Sequence, residues 1–179
     1  MGMTTMPNAS AKGLLKLSWP IFIELILQLL VGNMDQVQLS HFNSTAVAAV
    51  GNANTIITVV LLTFNVISLA AMILVSQYRG ANDLNSTNQI YTLSPLVNAG
   101  LSIFLAVVLL VFAQPIFSLM QVPAELMQEA CDYLRITAVA LPFQAIMLTF
   151  SAFLRAGAHM KVIMLITGFI NVCNIIGNA

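Results

Sequence analysis

Residues 36–78 read QVQLSHFNSTAVAAVGNANTIITVVLLTFNVISLAAMILVSQY, a run of forty-three residues without one Asp, Glu, Lys or Arg. A second uncharged run extends from Leu84 to Ala124. A helix needs roughly 20 apolar residues to cross the bilayer, so each run with its flanks has room for one or more spans. The sequence therefore predicts an all-α fold, that of a polytopic helical membrane protein.

The composition of the whole chain agrees with that prediction. Of the 179 residues, 59% are hydrophobic and 7% are charged, and the mean hydropathy is +0.94. Soluble domains carry roughly 25% charged residues, and a chain of this length has no interior large enough for so much apolar surface. We therefore expect the lipid bilayer to be its main solvent. The net charge of zero and the absence of a basic block give no reason to expect a nucleic-acid partner.

The lengths of the apolar runs, and the turn-forming and charged residues that separate them, predict five helical spans after a cytoplasmic tail of residues 1–13. We place the spans at about residues 14–37, 46–78, 89–112, 133–154 and 161–179. The third span is expected to end before Pro115, and Pro142 is expected to kink the fourth. The connection 113–132 should contain a short amphipathic helix at 123–131. The number of spans is odd, and no polar segment follows the fifth span to end it. We therefore expect a truncated chain.

The basic residues predict the orientation of these spans. Five of the six lie on one side of the predicted membrane, and only Arg135 lies near the other; the five are Lys12, Lys16, Arg79, Arg155 and Lys161. Loops rich in Lys and Arg stay in the cytoplasm. We therefore expect a multi-pass protein of the cell membrane with its N-terminus in the cytoplasm and the 113–132 connection outside.

Three polar residues share one face of the first predicted span. Glu24 and Asp35 are eleven residues apart, which is almost three helical turns, and Gln28 lies within about 40° of the same line. Such a face is expensive in hydrocarbon, so we expect it to line a protein interior or a water-filled cavity. Two alternatives stay open: Asp35 is hydrated at the outer interface, or Glu24 reaches back to the inner interface.

Three asparagines, Asn171, Asn174 and Asn178, lie within about 60° of one another on the fifth predicted span. Asparagines also join helices through amide hydrogen bonds, and that role stays open here. Asn174 and Asn178, however, fall in the outer half of their span, at the depth of Asp35. One carboxylate and two amide oxygens suit a proton or a small hard cation such as sodium. No cofactor other than this ion is expected.

The residues give little support to an enzyme. The sequence contains no Ser-His-Asp, HExxH, P-loop or paired-aspartate pattern with the required spacing. Cys131 and Cys173 are isolated and have no CxxC or histidine neighbour, so we expect them to be packing residues. No catalytic residue is predicted.

Several of these residues recur in the order of a known family. Pro20 is followed fifteen residues later by Asp35, and residues 75–83 read VSQYRGAND, which is similar to a Gln-x-x-Gly-Ala/Ser-Gly/Asn motif. The remaining matches are Tyr133-Leu134-Arg135, Pro142, Arg155-Ala156-Gly157 with Lys161, and the pair Asn174 and Asn178. From about Lys12 to its end, the chain resembles the multidrug and toxic compound extrusion (MATE) family.

The resemblance implies a twelve-helix exporter with two six-helix lobes, of which this chain holds five helices of the N-terminal lobe. The sixth helix and the C-terminal lobe are then missing partners, so this polypeptide alone should not transport. Such a protein exchanges a drug-like, often cationic, small molecule for protons or sodium ions by alternating access. The resemblance assigns the cation site to Asp35, Asn174 and Asn178. Some members have an acid where Asn178 stands, so a strong two-carboxylate site is absent here.

Glu24, Gln28 and Asn171 remain candidates for lining the substrate cavity. Two alternatives to an antiporter stay open. A lipid-linked flippase of the same superfamily would be expected to show basic residues within its spans, and this sequence shows none there. A non-transporting membrane scaffold would not need Asp35 and Asn174 at one depth.

Overall fold

A computed structural model describes residues 44–157 and 159–177, together with Trp19, Phe22, Ile23, Ile26 and Leu29. It contains four helices: α1 (Ser44–Gly80), α2 (Leu84–Leu119), α3 (Ala124–Ala156) and α4 (Met160–Gly177). They correspond to the second to fifth predicted spans. Apart from the five isolated residues, the first predicted span lies outside the described residues, so the count of five helices stays a prediction.

The helices are distributed over two compact units. The first is Gln36–Gly157 and contains α1, α2 and α3, and the second is Met1–Asp35 with Ala158–Ala179 and contains α4. Three helices are long and apolar enough to cross a membrane, namely Val47–Gly80, Leu84–Leu119 and Ala124–Ala156, and Val162–Cys173 is a shorter apolar helix. The chain is therefore a helical, multi-pass membrane protein.

Two predicted features around the connection between α2 and α3 are wrong. The third span was expected to end before Pro115, but α2 continues through that residue to Leu119. Pro115 removes one backbone donor close to the C-terminal end of the helix, and membrane helices tolerate proline where other groups satisfy the backbone. The connection itself is only residues 120–123.

The second wrong prediction is a separate helix at 123–131 followed by a span at 133–154. α3 is one continuous helix from Ala124 to Ala156. Residues 124–135 contain no Gly or Pro, and most of them are strong helix formers, so nothing interrupts the helix. Glu125 lies in the first turn of α3, where a negative charge interacts favourably with the helix dipole.

The turn between α1 and α2 is fixed by local hydrogen bonds. Asn82 has a φ of 57°, a left-handed conformation that Asn tolerates better than most residues. Asp83 caps α2 by accepting hydrogen bonds from the Ser86 backbone N–H at 3.0 Å and from the Ser86 hydroxyl at 2.6 Å. The Ser86 hydroxyl and backbone N–H lower the pKa of Asp83 from its ordinary value, because both stabilise the carboxylate.

Small residues allow α1, α2 and α3 to pack closely. Fully buried alanines on the three helices include Ala53, Ala113, Ala138 and Ala145, and the larger side chains Phe64, Phe117, Leu134 and Leu141 fill the remaining space. Lipid provides no hydrophobic driving force between helices, so such close packing is a main source of their association. Cys131 is buried in this core and Cys173 is exposed.

Candidate functional site

Asn98 of α2 is a fully buried polar residue of the first unit, with no solvent exposure. Its amide Nδ2 donates to Thr149 Oγ1 on α3 at 2.8 Å and to Ser68 Oγ on α1 at 3.1 Å. The backbone oxygens of Phe64 and Ala145 lie 3.4 Å from the same nitrogen. One amide therefore contacts both neighbouring helices, and we call Ser68, Asn98 and Thr149 the polar clamp.

The polar clamp is a structural element with one unsatisfied atom. Thr149 Oγ1 also donates to Ala145 O at 2.9 Å, and the two hydroxyl oxygens are 3.5 Å apart. Among the described residues Asn98 Oδ1 has no hydrogen-bond partner, and a buried acceptor left unsatisfied disfavours the buried state by about 1–3 kcal/mol. None of the three side chains ionises at physiological pH, so the clamp joins helices and cannot change its charge.

A second polar feature lies on the exposed surface of α1. Four exposed residues there have side chains that point within about 80° of one another at 100° per residue, and they are Thr55, Thr58, Asn65 and Ser76. We call them the α1 polar stripe. Thr55 and Ser76 are twenty-one positions apart, or about 32 Å along the helix, which is close to the thickness of the hydrocarbon core.

The hydrogen bonds within the α1 polar stripe are all local. Thr55, Thr58 and Ser76 each donate to the carbonyl oxygen four residues earlier, at 3.1, 2.7 and 2.8 Å. Asn65 does the same at 2.9 Å to Leu61 O. A hydroxyl with such a bond tolerates lipid, but an asparagine keeps further donor and acceptor capacity. The same 80° sector also exposes Leu62, Leu69 and Ile73, so this face of α1 is a mixed polar and apolar surface.

Tyr133 and Asn54 connect α3 with α1 nearer the outer end predicted from the sequence. The Tyr133 hydroxyl donates to Asn54 Oδ1 at 3.4 Å, and both residues are partly buried. This is a long hydrogen bond, so its energetic contribution is at the low end of the usual range. It adds a second polar contact between these two helices.

The fifth predicted span forms helix α4, and Asn171 is buried on it at 9% exposure. Its amide Nδ2 has no hydrogen-bond partner among the described residues. Asn174 is part of the same helix, so the helical spacing between the two asparagines is as the sequence predicts. Asn171 therefore adds a buried amide donor with unused hydrogen-bonding capacity to α4.

The other predicted site residues are not placed by the structure. Glu24, Gln28, Asp35 and Asn178 lie outside the described residues, and so does the side chain of Asn174. The cation site of Asp35, Asn174 and Asn178 therefore stays a prediction. In the part of the chain that the structure describes, no three His, Cys, Asp or Glu residues are grouped so as to hold a metal ion.

Sequence analysis missed both the polar clamp and the α1 polar stripe. The stripe had a detectable signal, because its members are separated by three, seven and eleven residues and these spacings repeat one helical face. The clamp had no such signal, because Ser68, Asn98 and Thr149 come from three separate helices and no periodicity within one helix indicates that they meet. Only the packing of the helices brings the three together.

Comparison with known proteins agrees with the sequence and the fold. The chain is 32% identical over 172 residues to a protein of Bacillus subtilis (strain 168) named uncharacterized transporter YisQ, a match that covers 96% of this chain and 38% of that protein. It is 28% identical over 172 residues to the probable multidrug resistance protein NorM of Thermotoga maritima, covering 92% of this chain and 35% of that protein. No solved structure matches the chain.

The chain thus spans little more than a third of the length of these two relatives. The sequence profile of the MatE family matches residues 20–179, almost the whole chain. That match includes all four described helices and every predicted site residue. This chain belongs to the MatE family of membrane transporters.

Proposed function

We propose that the full-length protein is a cation-coupled antiporter that exports drug-like, often cationic, small molecules from the cytoplasm by alternating access. The observation that carries this proposal is the match of the MatE family profile to residues 20–179. The α1 polar stripe adds four exposed polar side chains to a spanning helix, on a face that also exposes apolar residues, and such a mixed face is compatible with lining a passage for an amphiphilic substrate. The printed name of the Thermotoga maritima relative, a probable multidrug resistance protein, supports a drug-like substrate.

We assign the coupling ion to Asp35, assisted by Asn174 and Asn178. Asp35 is the carboxylate that the sequence places at the depth of the two asparagines. To exchange an ion for a cationic substrate, the site needs a group that can change its charge by binding and releasing that ion. Asn171, on the same helix, has a buried Nδ2 donor without a partner among the described residues, so it offers unused hydrogen-bonding capacity to this helix. A proton needs only the carboxylate, whereas sodium needs several oxygen ligands at once, so we infer proton coupling in this lobe.

We also propose that the protein lies in the cell membrane with its N-terminus on the cytoplasmic side, because five of the six basic residues fall on that side. A single cysteine placed at Asp83 or at Glu125 distinguishes the two orientations, because these residues lie at opposite ends of the spanning helices. In a variant without Cys131 and Cys173, a membrane-impermeant thiol reagent applied outside cells should label position 125 and leave position 83 unlabelled. The reverse pattern would contradict this orientation.

Substrate export from vesicles tests the function itself. We expect vesicles that hold the full-length protein to move a fluorescent cationic dye against its gradient when a pH gradient is imposed. Dissipating the pH gradient should stop that movement, and vesicles without protein are the control. Movement of a lipid-linked substrate without dye movement would favour a flippase, and no movement of either would favour a scaffold; both results contradict the proposal.

A further inference from the structure

A small cavity lies between the ends of α2 and α3 that meet at residues 120–123. Its volume is ≈ 280 Å³, and it is lined by Gln114 of α2 and by residues of α3 that include Gln128, Cys131, Asp132 and Arg135. Because α2 and α3 are spanning helices, the cavity lies close to one membrane–water interface. A volume of this size is below that of most drug pockets, which start at roughly 300 Å³.

The cavity presents both signs of charge to a ligand. Arg135 Nη1 is 3.8 Å from Asp132 Oδ1, and the two side chains are 46% and 57% exposed. A charge-assisted hydrogen bond between such groups is about 2.7–2.9 Å long. The two groups therefore form an ion pair without a direct hydrogen bond, and because both side chains are exposed, each has donors or acceptors available to a third molecule. Gln114 and Gln128 add neutral donors and acceptors.

Exposed apolar side chains continue from the cavity along the same helix faces. On α3, Gln128, Asp132 and Arg135 point within about 80° of Val139 and Phe143 at 100° per residue. On α2, Gln114 points within about 80° of Phe104, Val107 and Val111 by the same geometry. All five apolar residues are exposed. Each helix therefore presents polar groups near the interface and an apolar face toward the middle of the membrane.

This arrangement matches the chemistry of one membrane component. We propose that the cavity binds the headgroup of phosphatidylethanolamine, with the primary ammonium on Asp132 and the phosphate on Arg135. The acyl chains lie along the exposed apolar faces of α2 and α3. A primary ammonium donates three hydrogen bonds, so it satisfies a carboxylate better than a trimethylated ammonium does. A phospholipid with an uncharged glycerol headgroup offers no cation to Asp132.

Lipid retention by the purified full-length protein tests this site. The protein is equilibrated with equal amounts of phosphatidylethanolamine, phosphatidylcholine and phosphatidylglycerol, and the bound lipids are counted by native mass spectrometry. We expect phosphatidylethanolamine to be retained about fivefold over phosphatidylglycerol, the size of effect that partly exposed charge pairs support. Phosphatidylcholine should be retained less than phosphatidylethanolamine.

Three variants distinguish the site from general lipid adhesion. Asp132→Asn should remove the preference for phosphatidylethanolamine over phosphatidylglycerol, and Arg135→Gln should lower the retention of all three lipids. Glu125→Gln is the matched control, because Glu125 is an exposed acid on the same helix that does not line the cavity. Equal retention of the three lipids by the unmodified protein would overturn the proposal. So would an equal loss of preference in Glu125→Gln and Asp132→Asn.

Discussion

Cells that carry the Asp35→Asn variant of the full-length protein should lose coupled drug export completely, while the protein folds and reaches the membrane at its normal level. The substitution keeps the size and hydrogen-bonding shape of the side chain but fixes it as neutral. Without a group that takes up and releases the ion, substrate export is no longer driven. Growth in the presence of a cationic drug, with membrane level measured on the same cells, checks this result.

A matched variant separates the role of Asp35 from a general effect of removing a negative charge. Glu125→Gln also neutralises one carboxylate, but Glu125 is exposed in the first turn of α3, and this variant should keep normal resistance. If Asp35→Asn cells are as resistant as those with the unmodified protein, Asp35 is a hydrated residue at the membrane interface. The assignment of the cation site would then be wrong.

The second large effect concerns stability, and Asn98→Asp should strongly destabilise the protein. Asn98 is fourteen residues into α2, about 21 Å along the helix and hence near the middle of the membrane. An ionised Asp at this position has no amide to donate to Ser68 and Thr149, and it introduces a buried charge. A charge at the centre of a spanning helix disfavours insertion by about 2.5–3.5 kcal/mol. We expect a lower Tm of the purified protein and a lower membrane level.

The same substitution at Asn88 is the control for Asn98→Asp. Asn88 lies on the same helix, near its N-terminal end, and is exposed. A negative charge there is hydrated and is close to the favourable end of the helix dipole, so Asn88→Asp should leave Tm almost unchanged. Equal Tm values for the two variants would show that the polar clamp does not hold the helices together.

The helical, multi-pass architecture could be predicted from the sequence because uncharged runs of this length have few other stable arrangements. Their ends were less predictable. Pro115 predicts a helix end, but a proline near the end of a long helix removes only one hydrogen bond, and the helix continues to Leu119. The amphipathic pattern of residues 123–131 predicts a short separate helix, but nothing in residues 124–135 breaks the helical backbone, so α3 is continuous.

The candidate site was only partly accessible to sequence reasoning. Glu24, Gln28, Asp35 and the three asparagines were found because polar residues that repeat one helical face produce a detectable pattern. Asn98 shares a helical face with Ser94 and Ser102, but its contacts are with Ser68 and Thr149, which are thirty and fifty-one residues away in the sequence. No periodicity within one helix indicates a contact among three helices. The cavity near Asp132 and Arg135 likewise needs the packing of α2 against α3.

The measurement that tests the proposed mechanism most directly is cation-driven export by the full-length protein in vesicles, with the acids of the C-terminal lobe neutralised so that only Asp35 couples. A pH gradient and a sodium gradient are imposed separately. We predict that the pH gradient drives export without sodium. Asn178→Ala should weaken proton binding at the site by no more than the free energy of one lost buried hydrogen bond, about 1–3 kcal/mol. Export that a sodium gradient drives at uniform pH, and that Asn178→Ala abolishes, would contradict proton coupling through Asp35.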